Sequence, residues 1–286
     1  MGHCLFFLLT FLLVLSPPSA SAEVVRFGVM PAADPASLEQ ALVGLVSYLE
    51  EATGDEILLS VARDYRELAD RLREGSLDLA WLNTASYVRL TDEMPQVGYL
   101  VTYMERDRTT GEVTDHYRAL LVTLKRSGIA SLEEARGKIL AFTDPLSTSG
   151  CVYPRLMLCR LGIDERSHFR KVFFLRRHDR VIEALLSGAV DVGAVSEGIL
   201  VKARRERGDL FAVLAASDPI PLSALVAASH VPQQRRELYR RVLTAIPADH
   251  PFLEEMWRHL SWPAAGFSVR DDAFYDSARE ALAHVF

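Results

Sequence analysis

The feature that most constrains the fold of this chain is an alternation of strand-like and helix-like segments that occurs twice. Apolar runs of strand length alternate with stretches whose apolar residues recur at helical spacing. Asp34-Pro35 begins the first helical stretch and Gly54 ends it. The other predicted elements of this block are the strand Val24–Met30, the strand Ile57–Val61, the helix Tyr65–Glu74 and the strand Leu77–Leu82. This βαβαβ order predicts a parallel sheet.

The same order returns at an offset of 113 residues. Gly75 coincides with Gly188 at this offset, and Asp78 coincides with Asp191. The predicted elements of the second block are the strand Lys138–Thr143, the helix Ser149–Arg160, the strand Lys171–Leu175, the helix His178–Ser187 and the strand Val190–Val195. We interpret the repeat as two similar α/β lobes rather than as a coincidence between two ordinary α/β units.

Composition excludes several other classes of protein. The 286 residues are 49% hydrophobic and 24% charged, which is a globular composition with enough apolar material for about two domains. A net charge of −6 argues against nucleic acid or an anionic membrane as the main partner. The three cysteines are too few for a disulfide scaffold and have no C-x-x-C spacing, so we expect no structural zinc. We also expect no cofactor.

The N-terminus has the pattern of a secretory signal peptide. Residues 5–15 form an apolar run that is shorter than the roughly 20 residues needed to span a bilayer. Pro17-Pro18 ends the run, and Ala20-Ser21-Ala22 supplies a small-residue cleavage site. We therefore expect a signal peptide over residues 1–22 and a periplasmic protein that begins at Glu23. The alternative is a short buried helix.

Two cysteines remain after such a cleavage. Cys151 and Cys159 stand eight positions apart in one predicted helix, hence about 12 Å apart along its axis. A disulfide requires Cα atoms within about 7 Å. We expect two buried or reduced thiols.

Two lobes of this kind predict a ligand cleft. In open α/β sheets, ligands bind beyond the carboxyl ends of the strands. The repeat places matching residues there in both lobes, Tyr65 with His178 at one helix start and Asn83 with Ser196 at another. Helix N-termini at such a cleft favour an anion.

A run of hydroxyl residues strengthens this prediction. Ser147, Thr148 and Ser149 follow a predicted strand and precede a helix, where the first backbone N–H groups lack internal partners. Hydroxyls and free N–H groups together form a donor cluster that suits a tetrahedral oxyanion. The alternative is a plain helix cap with additional serines, although one hydroxyl residue is enough for a cap.

These residues also carry a family resemblance. The segment from Phe142 to Gly150, followed by Pro154, resembles a motif of the periplasmic binding proteins of phosphonate, phosphite and phosphate ABC transporters. Supporting matches are Asp78–Leu82, Ser86-Tyr87-Val88, His178-Asp179 and Asp191. The resemblance implies a type II periplasmic binding fold, in which two α/β lobes are joined by a hinge and enclose a ligand cleft.

The resemblance also implies roles for individual residues. Ser147, Thr148 and Ser149 are expected to hold the phosphorus-bound oxygens. Tyr65 and Tyr117 are expected to donate phenol hydroxyls from the first lobe or its border. His178 and Asp179 are expected to approach from the second lobe. The other candidate ligand-binding residues are Trp81, which is either core or cleft wall, Asn83, Arg177, Ser196 and Glu197.

The identity of the anion stays open at this point. The sequence departs from the family pattern at Asn83-Thr84, Cys151, Arg176-Arg177 and Glu197. Arg177 either binds a phosphonate in bidentate fashion or is solvated beside Asp179. Asp179 either accepts a proton from a P–OH group or pairs with an amine on the ligand. Glu197 either favours an aminoalkyl tail or is a solvated residue at a helix start.

The predicted organisation is a signal peptide at 1–22, a first lobe of 23–122 with 220–286, and a second lobe of 123–219. The predicted function is an exported, monomeric solute-binding protein that delivers a phosphonate-like oxyanion to a membrane permease. The alternative is a sensing module of a signalling system with the same fold. An enzyme is a weaker hypothesis, because adjacent His178 and Asp179 rarely orient each other as a Ser147-His178-Asp179 triad requires.

Overall fold

The computed structural model describes residues 22–285. The predicted signal peptide lies outside the described residues except for Ala22. The strands are β1 (Val24–Val29), β2 (Glu56–Val61), β3 (Leu79–Leu82), β4 (Gly98–Arg106), β5 (Val113–Thr114), β6 (His116–Tyr117), β7 (Ala119–Leu124), β8 (Ile139–Phe142), β9 (Lys171–Phe174), β10 (Val192–Ser196), β11 (Phe211–Ala216), β12 (Ile220–Pro221), β13 (Ala224–Ala227) and β14 (Ala264–Ser268).

The α-helices are α1 (Pro35–Thr53), α2 (Tyr65–Arg73), α3 (Thr84–Glu93), α4 (Tyr153–Arg160), α5 (Glu165–His168), α6 (His178–Ser187), α7 (Glu197–Arg207), α8 (Gln233–Thr244), α9 (Pro251–Leu260) and α10 (Asp276–Val285). Short 3₁₀ turns cover Lys125–Ser127 and Asp272–Tyr275, and a π-helical turn covers Thr148–Val152. In the described part of the chain, no helix is both long and apolar enough to cross a membrane.

The strands form two sheets, as the repeat predicts. The first has the order β14-β4-β13-β3-β1-β2, with β5 paired to β4, and the second has the order β11-β7-β10-β8-β9. We call the first sheet with its helices the first lobe and the second sheet with its helices the second lobe. The predicted α/β class with two similar lobes is confirmed.

Each sheet contains the predicted parallel unit together with antiparallel strands. The parallel strands are β3-β1-β2 in the first lobe and β10-β8-β9 in the second. The antiparallel neighbour is β13 in the first lobe and β7 in the second. Both β7 and β13 are the first strands that the chain forms in a sheet after it arrives from the other lobe. This arrival sets their antiparallel direction.

The repeat extends to the register of the strands. Phe27 pairs with Leu79 in the first lobe, and the residues 113 positions later, Leu140 and Val192, pair in the second. The two coincident aspartates also act alike. The Asp78 carboxylate accepts a 2.8 Å hydrogen bond from the Arg26 N–H, and Asp191 accepts one of the same length from the Ile139 N–H. These carboxylates therefore fix the start of a strand, which gives Asp191 a structural role.

The chain crosses between the sheets earlier than predicted. The strand that ends at Leu124 begins only at Ala119, because the backbone changes its partner at Arg118. Tyr117 pairs with Ile220 in a two-stranded ribbon, whereas Ala119 pairs with Ser196 in the second sheet. The prediction that residues 119–122 belong to the first lobe is therefore wrong.

The lobes contact each other on two sides. On one side, Val152 and Leu156, at the π-helical turn and in α4, join the hydrophobic core of the first lobe. On the other side, side chains of α7 reach backbone carbonyls at the end of α9. Lys202 Nζ donates to the His259 oxygen at 2.9 Å, and an Arg205 nitrogen donates to the Trp257 oxygen at 3.3 Å.

The two remaining cysteines are free thiols, as expected. Cys151 is buried in the π-helical turn, and burial raises the pKa of its thiol to about 12. Cys159 is exposed on α4.

Candidate ligand-binding site

A cavity of about 610 Å³, including its mouth, lies between the lobes. The carboxyl ends of β3, β8 and β10 lead directly into segments that line it, as expected for parallel strands. Eight of the twelve predicted site residues line this cavity: Tyr65, Asn83, Tyr117, Ser147, Thr148, Ser149, His178 and Ser196.

The three hydroxyl residues lie where β8 leads into the π-helical turn. The Ser147 hydroxyl caps this turn by accepting a 3.2 Å hydrogen bond from the Gly150 N–H. Gly150 is required here because a Cβ atom would overlap the buried Thr143 side chain. The predicted helix over residues 149–160 thus begins as a π-helical turn and becomes α-helical at Tyr153.

Two of the lining residues connect the lobes directly. The Thr148 hydroxyl accepts a 2.9 Å hydrogen bond from the Ala85 N–H in the first turn of α3. Asn83 caps α3 through its Oδ1 and donates from its Nδ2 to the Leu146 carbonyl at 2.9 Å. The wall of the cavity is therefore built from both lobes, which are in contact around it.

Tyr65 and His178 occupy equivalent positions at the starts of α2 and α6. Burial raises the pKa of Tyr65, against the effect of a hydrogen bond with Ser147, so the phenol is neutral. Burial lowers the pKa of His178 to about 4, so its imidazole is neutral at pH 7. Its Nδ1 accepts a 3.3 Å hydrogen bond from the Ser196 N–H, which places the ring proton on Nε2. Both side chains thus offer a neutral donor.

Tyr117 and Ser196 complete the polar lining. Burial raises the pKa of Tyr117, and hydrogen bonds with Ser149 and Thr148 oppose this rise. Ser196 is the N-cap residue of α7, yet its side chain makes no capping hydrogen bond. Its hydroxyl therefore remains available at the cavity, next to Gly198 and Ile199 of the same helix start.

Trp81 lies behind the cavity rather than on its surface. It is buried against Tyr103 and Phe267, and its indole nitrogen donates a 2.7 Å hydrogen bond to the Ser223 hydroxyl. Ser223 does line the cavity. Of the two roles considered for Trp81, core and cleft wall, the structure places it in the core, where it orients a lining residue.

Three other predicted residues are not brought to the cavity. Arg177 and Asp179 bind each other through two hydrogen bonds of 3.1 and 3.0 Å. Arg177 also lines a surface groove together with Arg63 and Arg180. Glu197 starts α7 between two lining residues but does not line the cavity itself. Successive side chains on a helix point about 100° apart, so the neighbours of an inward residue face away. A contact between Arg177 or Asp179 and a ligand in this cavity is therefore not supported.

Several other residues that line the cavity were not predicted from the sequence. Tyr103 and Glu105 alternate along β4 and so face the same side. Trp262 follows α9, and Ser223 precedes β13. The alternation of Tyr103 and Glu105 is the one pattern that was readable in advance. Among the described residues, no lysine or arginine lines the cavity.

The arrangement differs from that of a hydrolytic triad. In a triad, the histidine donates from Nδ1 to the acid. Here the Nδ1 of His178 accepts a backbone hydrogen bond, and the Asp179 carboxylate is paired with Arg177. Ser147, His178 and Asp179 thus lack the geometry of a triad.

Fold and site together define a two-lobed α/β binding protein whose interlobe cavity is lined with neutral hydrogen-bond donors. The family described as "ABC transporter, phosphonate, periplasmic substrate-binding protein" matches residues 27–273. The chain belongs to this family.

Two curated relatives are each 25% identical to the chain. The phosphate-import protein PhnD of Mycolicibacterium smegmatis aligns over 207 residues, which are 68% of this chain and 63% of that protein. The probable ABC transporter phosphite binding protein PhnD1 of Prochlorococcus marinus aligns over 199 residues, which are 67% and 64% of the two chains. The match therefore spans slightly less than two thirds of each relative's length.

Solved structures have the same fold. PhnD1 of Prochlorococcus marinus in complex with methylphosphonate has a TM-score of 0.79 at 18% identity, over 91% of this chain and 97% of that one. A binding protein component of an ABC phosphonate transporter from Pseudomonas aeruginosa has a TM-score of 0.78 at 19% identity, over 91% and 86%.

Proposed function

We propose that this protein is the periplasmic substrate-binding component of an ABC transporter. It captures a small phosphorus oxyanion of the phosphonate, phosphite or phosphate type and delivers it to a membrane permease. Family membership supports the transport role, and the ligands named for the relatives, phosphate, phosphite and methylphosphonate, support the ligand class.

The observation that carries this proposal is the convergence of neutral donors on one cavity. The hydroxyl run of the second lobe faces the phenols of Tyr65 and Tyr117, and His178 adds its Nε2–H. A tetrahedral oxyanion presents several acceptor oxygens, and each hydrogen bond to a charged group contributes about 1.5–3 kcal/mol. Such a set suits an anion that is bound by hydrogen bonds without a lysine or arginine.

We further propose that the protein binds its ligand without turnover. The pairing of Asp179 with Arg177 and the acceptor role of His178 Nδ1 support this part of the proposal. A phosphatase assay with a phosphonate ester tests it, and release of the alcohol above the uncatalysed rate would contradict it.

Ligand capture is proposed to involve closure of the lobes about the two crossings of the chain. The first crossing lies at Arg118 and the second follows Ser217. They are joined by a 3.0 Å hydrogen bond from the Ala119 N–H to the Ser217 hydroxyl. Small-angle X-ray scattering should give a smaller radius of gyration with saturating methylphosphonate than without it. Identical profiles under verified binding would contradict closure.

Calorimetric titration of the mature chain tests the ligand class. The panel is phosphate, phosphite, methylphosphonate, 2-aminoethylphosphonate and sulfate. We expect at least one phosphorus anion to bind more tightly than sulfate. At a hundred times the dissociation constant it should stabilise the fold by about 2.7 kcal/mol. Binding of sulfate alone, or of no member of the panel, would overturn the proposal.

A further inference from the structure

The cavity has a second polar end, formed by β4, that the donor cluster does not use. We propose that Glu105 is a specificity-determining residue that binds the ligand in its carboxylic acid form, so that capture of the anion in alkaline solution takes up one proton at Glu105. This inference rests on the proposed function and adds a proton to the binding equilibrium.

Geometry places Glu105 on the wall of the cavity. Tyr103 and Glu105 stand two residues apart on β4 and both line the cavity. The Tyr103 side chain is only 1% exposed, and its hydroxyl has no hydrogen-bond partner in the described part of the chain. A buried hydroxyl without a partner is costly, so this end of the cavity is suited to a polar group of a ligand.

The charges around Glu105 offer no compensation for its negative form. The strands that flank it pair it with Thr114 on β5 and Ala264 on β14, which are both uncharged. Three titratable groups interact electrostatically with Glu105. They are Glu197 at the start of α7, Tyr103 on its own strand and Tyr117 on β6. Burial and the negative charge of Glu197 together raise the pKa of Glu105 to about 8.

An anionic ligand raises this pKa further. An oxyanion in the cavity lies near the Glu105 carboxyl without a lysine or arginine on the cavity wall, so a carboxylate would repel it. The protonated acid removes that repulsion and supplies one more donor. The proton comes from solvent and resides on a Glu105 carboxyl oxygen, and the ligand keeps its charge.

The sign of the pH dependence follows. Below pH 8, most of the free protein already carries the proton, and Glu105 imposes little pH dependence on binding. Above pH 8, binding must also protonate Glu105, so the affinity falls by up to about tenfold for each pH unit.

Calorimetry with methylphosphonate and with phosphate at pH 9, in two buffers of different ionisation enthalpy, tests the proposal. At this pH both ligands are mainly dianions, because each has already lost the proton that ionises near neutral pH. The wild-type protein should take up about one proton for each ligand bound. Glu105→Gln should take up none and should lose less affinity than the wild type between pH 7 and pH 9. Glu112→Gln, an exposed carboxylate in the same hairpin, is the matched control and should behave as the wild type.

The outcomes separate the possible explanations. Proton uptake that persists in Glu105→Gln would place the proton on the ligand and overturn the inference. Failure of the wild type to bind any phosphorus anion of the calorimetric panel at any pH would overturn the proposed function instead. Carbon NMR of labelled glutamate side chains supplies a measurement without a variant. In the wild type saturated with ligand at pH 9, the Glu105 carboxyl resonance should be that of the acid. A carboxylate resonance there would refute the inference.

Discussion

The two lobes share one arrangement of strands and helices but differ in the residues that follow the carboxyl ends of their strands. At the offset of 113 residues, Asp34-Pro35-Ala36 of the first lobe corresponds to Ser147-Thr148-Ser149 of the second. In the first lobe, the Asp34 carboxylate caps its own helix by accepting from the N–H groups of Ala36 and Ser37. The first lobe thus fills that helix start with its own negative charge, whereas the second presents hydroxyls there. The duplicated arrangement therefore carries the proposed anion site in one copy and a closed cap in the other.

The largest expected effect comes from the glycine that shapes the second-lobe turn. The Cβ atom of Gly150→Ala would overlap Thr143 and lie 2.8 Å from the Ser147 hydroxyl oxygen. We expect binding of the phosphorus anion to fall below detection by calorimetry, with a loss of about 1–3 kcal/mol in the free energy of unfolding. Ser37→Ala at the equivalent first-lobe position should leave the affinity unchanged. Near-normal affinity in Gly150→Ala would mean that the turn does not shape the site.

The hydroxyl of Thr148 gives the next largest effect. Thr148→Ala removes one proposed donor to the ligand and leaves the Ala85 N–H without its partner. Because a hydrogen bond to a charged group contributes about 1.5–3 kcal/mol, the dissociation constant should rise at least tenfold. Thr148→Ser retains the hydroxyl and should recover most of the affinity. Equal affinity of Thr148→Ala and the wild type would remove Thr148 from the ligand contacts.

His178 and Tyr65 are equivalent in position but differ in how they titrate. His178 is buried with a pKa of about 4, below the value of about 6.5 for an unfolded chain. Protonation therefore favours the unfolded state, and full stability is present above pH 6.5. Between pH 6.5 and 4 the free energy of unfolding should fall by about 1.4 kcal/mol per pH unit because of this group.

Urea unfolding of His178→Gln and of the wild type across this range isolates the contribution. The variant should lack that part of the slope, whereas Tyr65→Phe should keep it, because burial raises the pKa of Tyr65 away from this range. If the free energy of unfolding has the same pH dependence in His178→Gln and in the wild type, His178 is not buried in its neutral form.

The smallest effect is expected outside the cavity. Asp179 forms a partly exposed ion pair with Arg177, and such pairs contribute about 0–1 kcal/mol. Asp179→Asn should change the affinity for phosphate or methylphosphonate less than about twofold. A tenfold loss of affinity in calorimetry would indicate that Asp179 contacts the ligand, and would contradict its position outside the cavity.

Many of the strands and helices were predictable from the sequence because they depend on local signals. The apolar runs, Asp34 as a helix cap, and Gly54 and Gly188 with positive φ angles at helix ends all act within a few residues. The repeat then predicted that Tyr65 and His178 lie at equivalent helix starts.

The remainder depends on tertiary packing. Whether His178 or its neighbour Asp179 faces the cavity is set by the rotation of α6 on its sheet, and no local pattern encodes that rotation. The crossing at Arg118 depends on which strand the backbone pairs with on each side of it, and a single charged residue next to an apolar run does not encode that choice. The pKa of Glu105 is raised by burial at the interlobe cavity and by Glu197 of α7 in the other lobe, and neither cause is local in sequence.

The central claim is that a phosphorus oxyanion binds between the lobes on the second-lobe hydroxyls. A crystal structure of the mature protein with methylphosphonate tests it most directly. We predict that the phosphonate oxygens accept hydrogen bonds from Ser147, Thr148 and Ser149 and from Nε2 of His178. Methylphosphonate bound instead in the groove of Arg63, Arg177 and Arg180, with the cavity free of it, would contradict the claim.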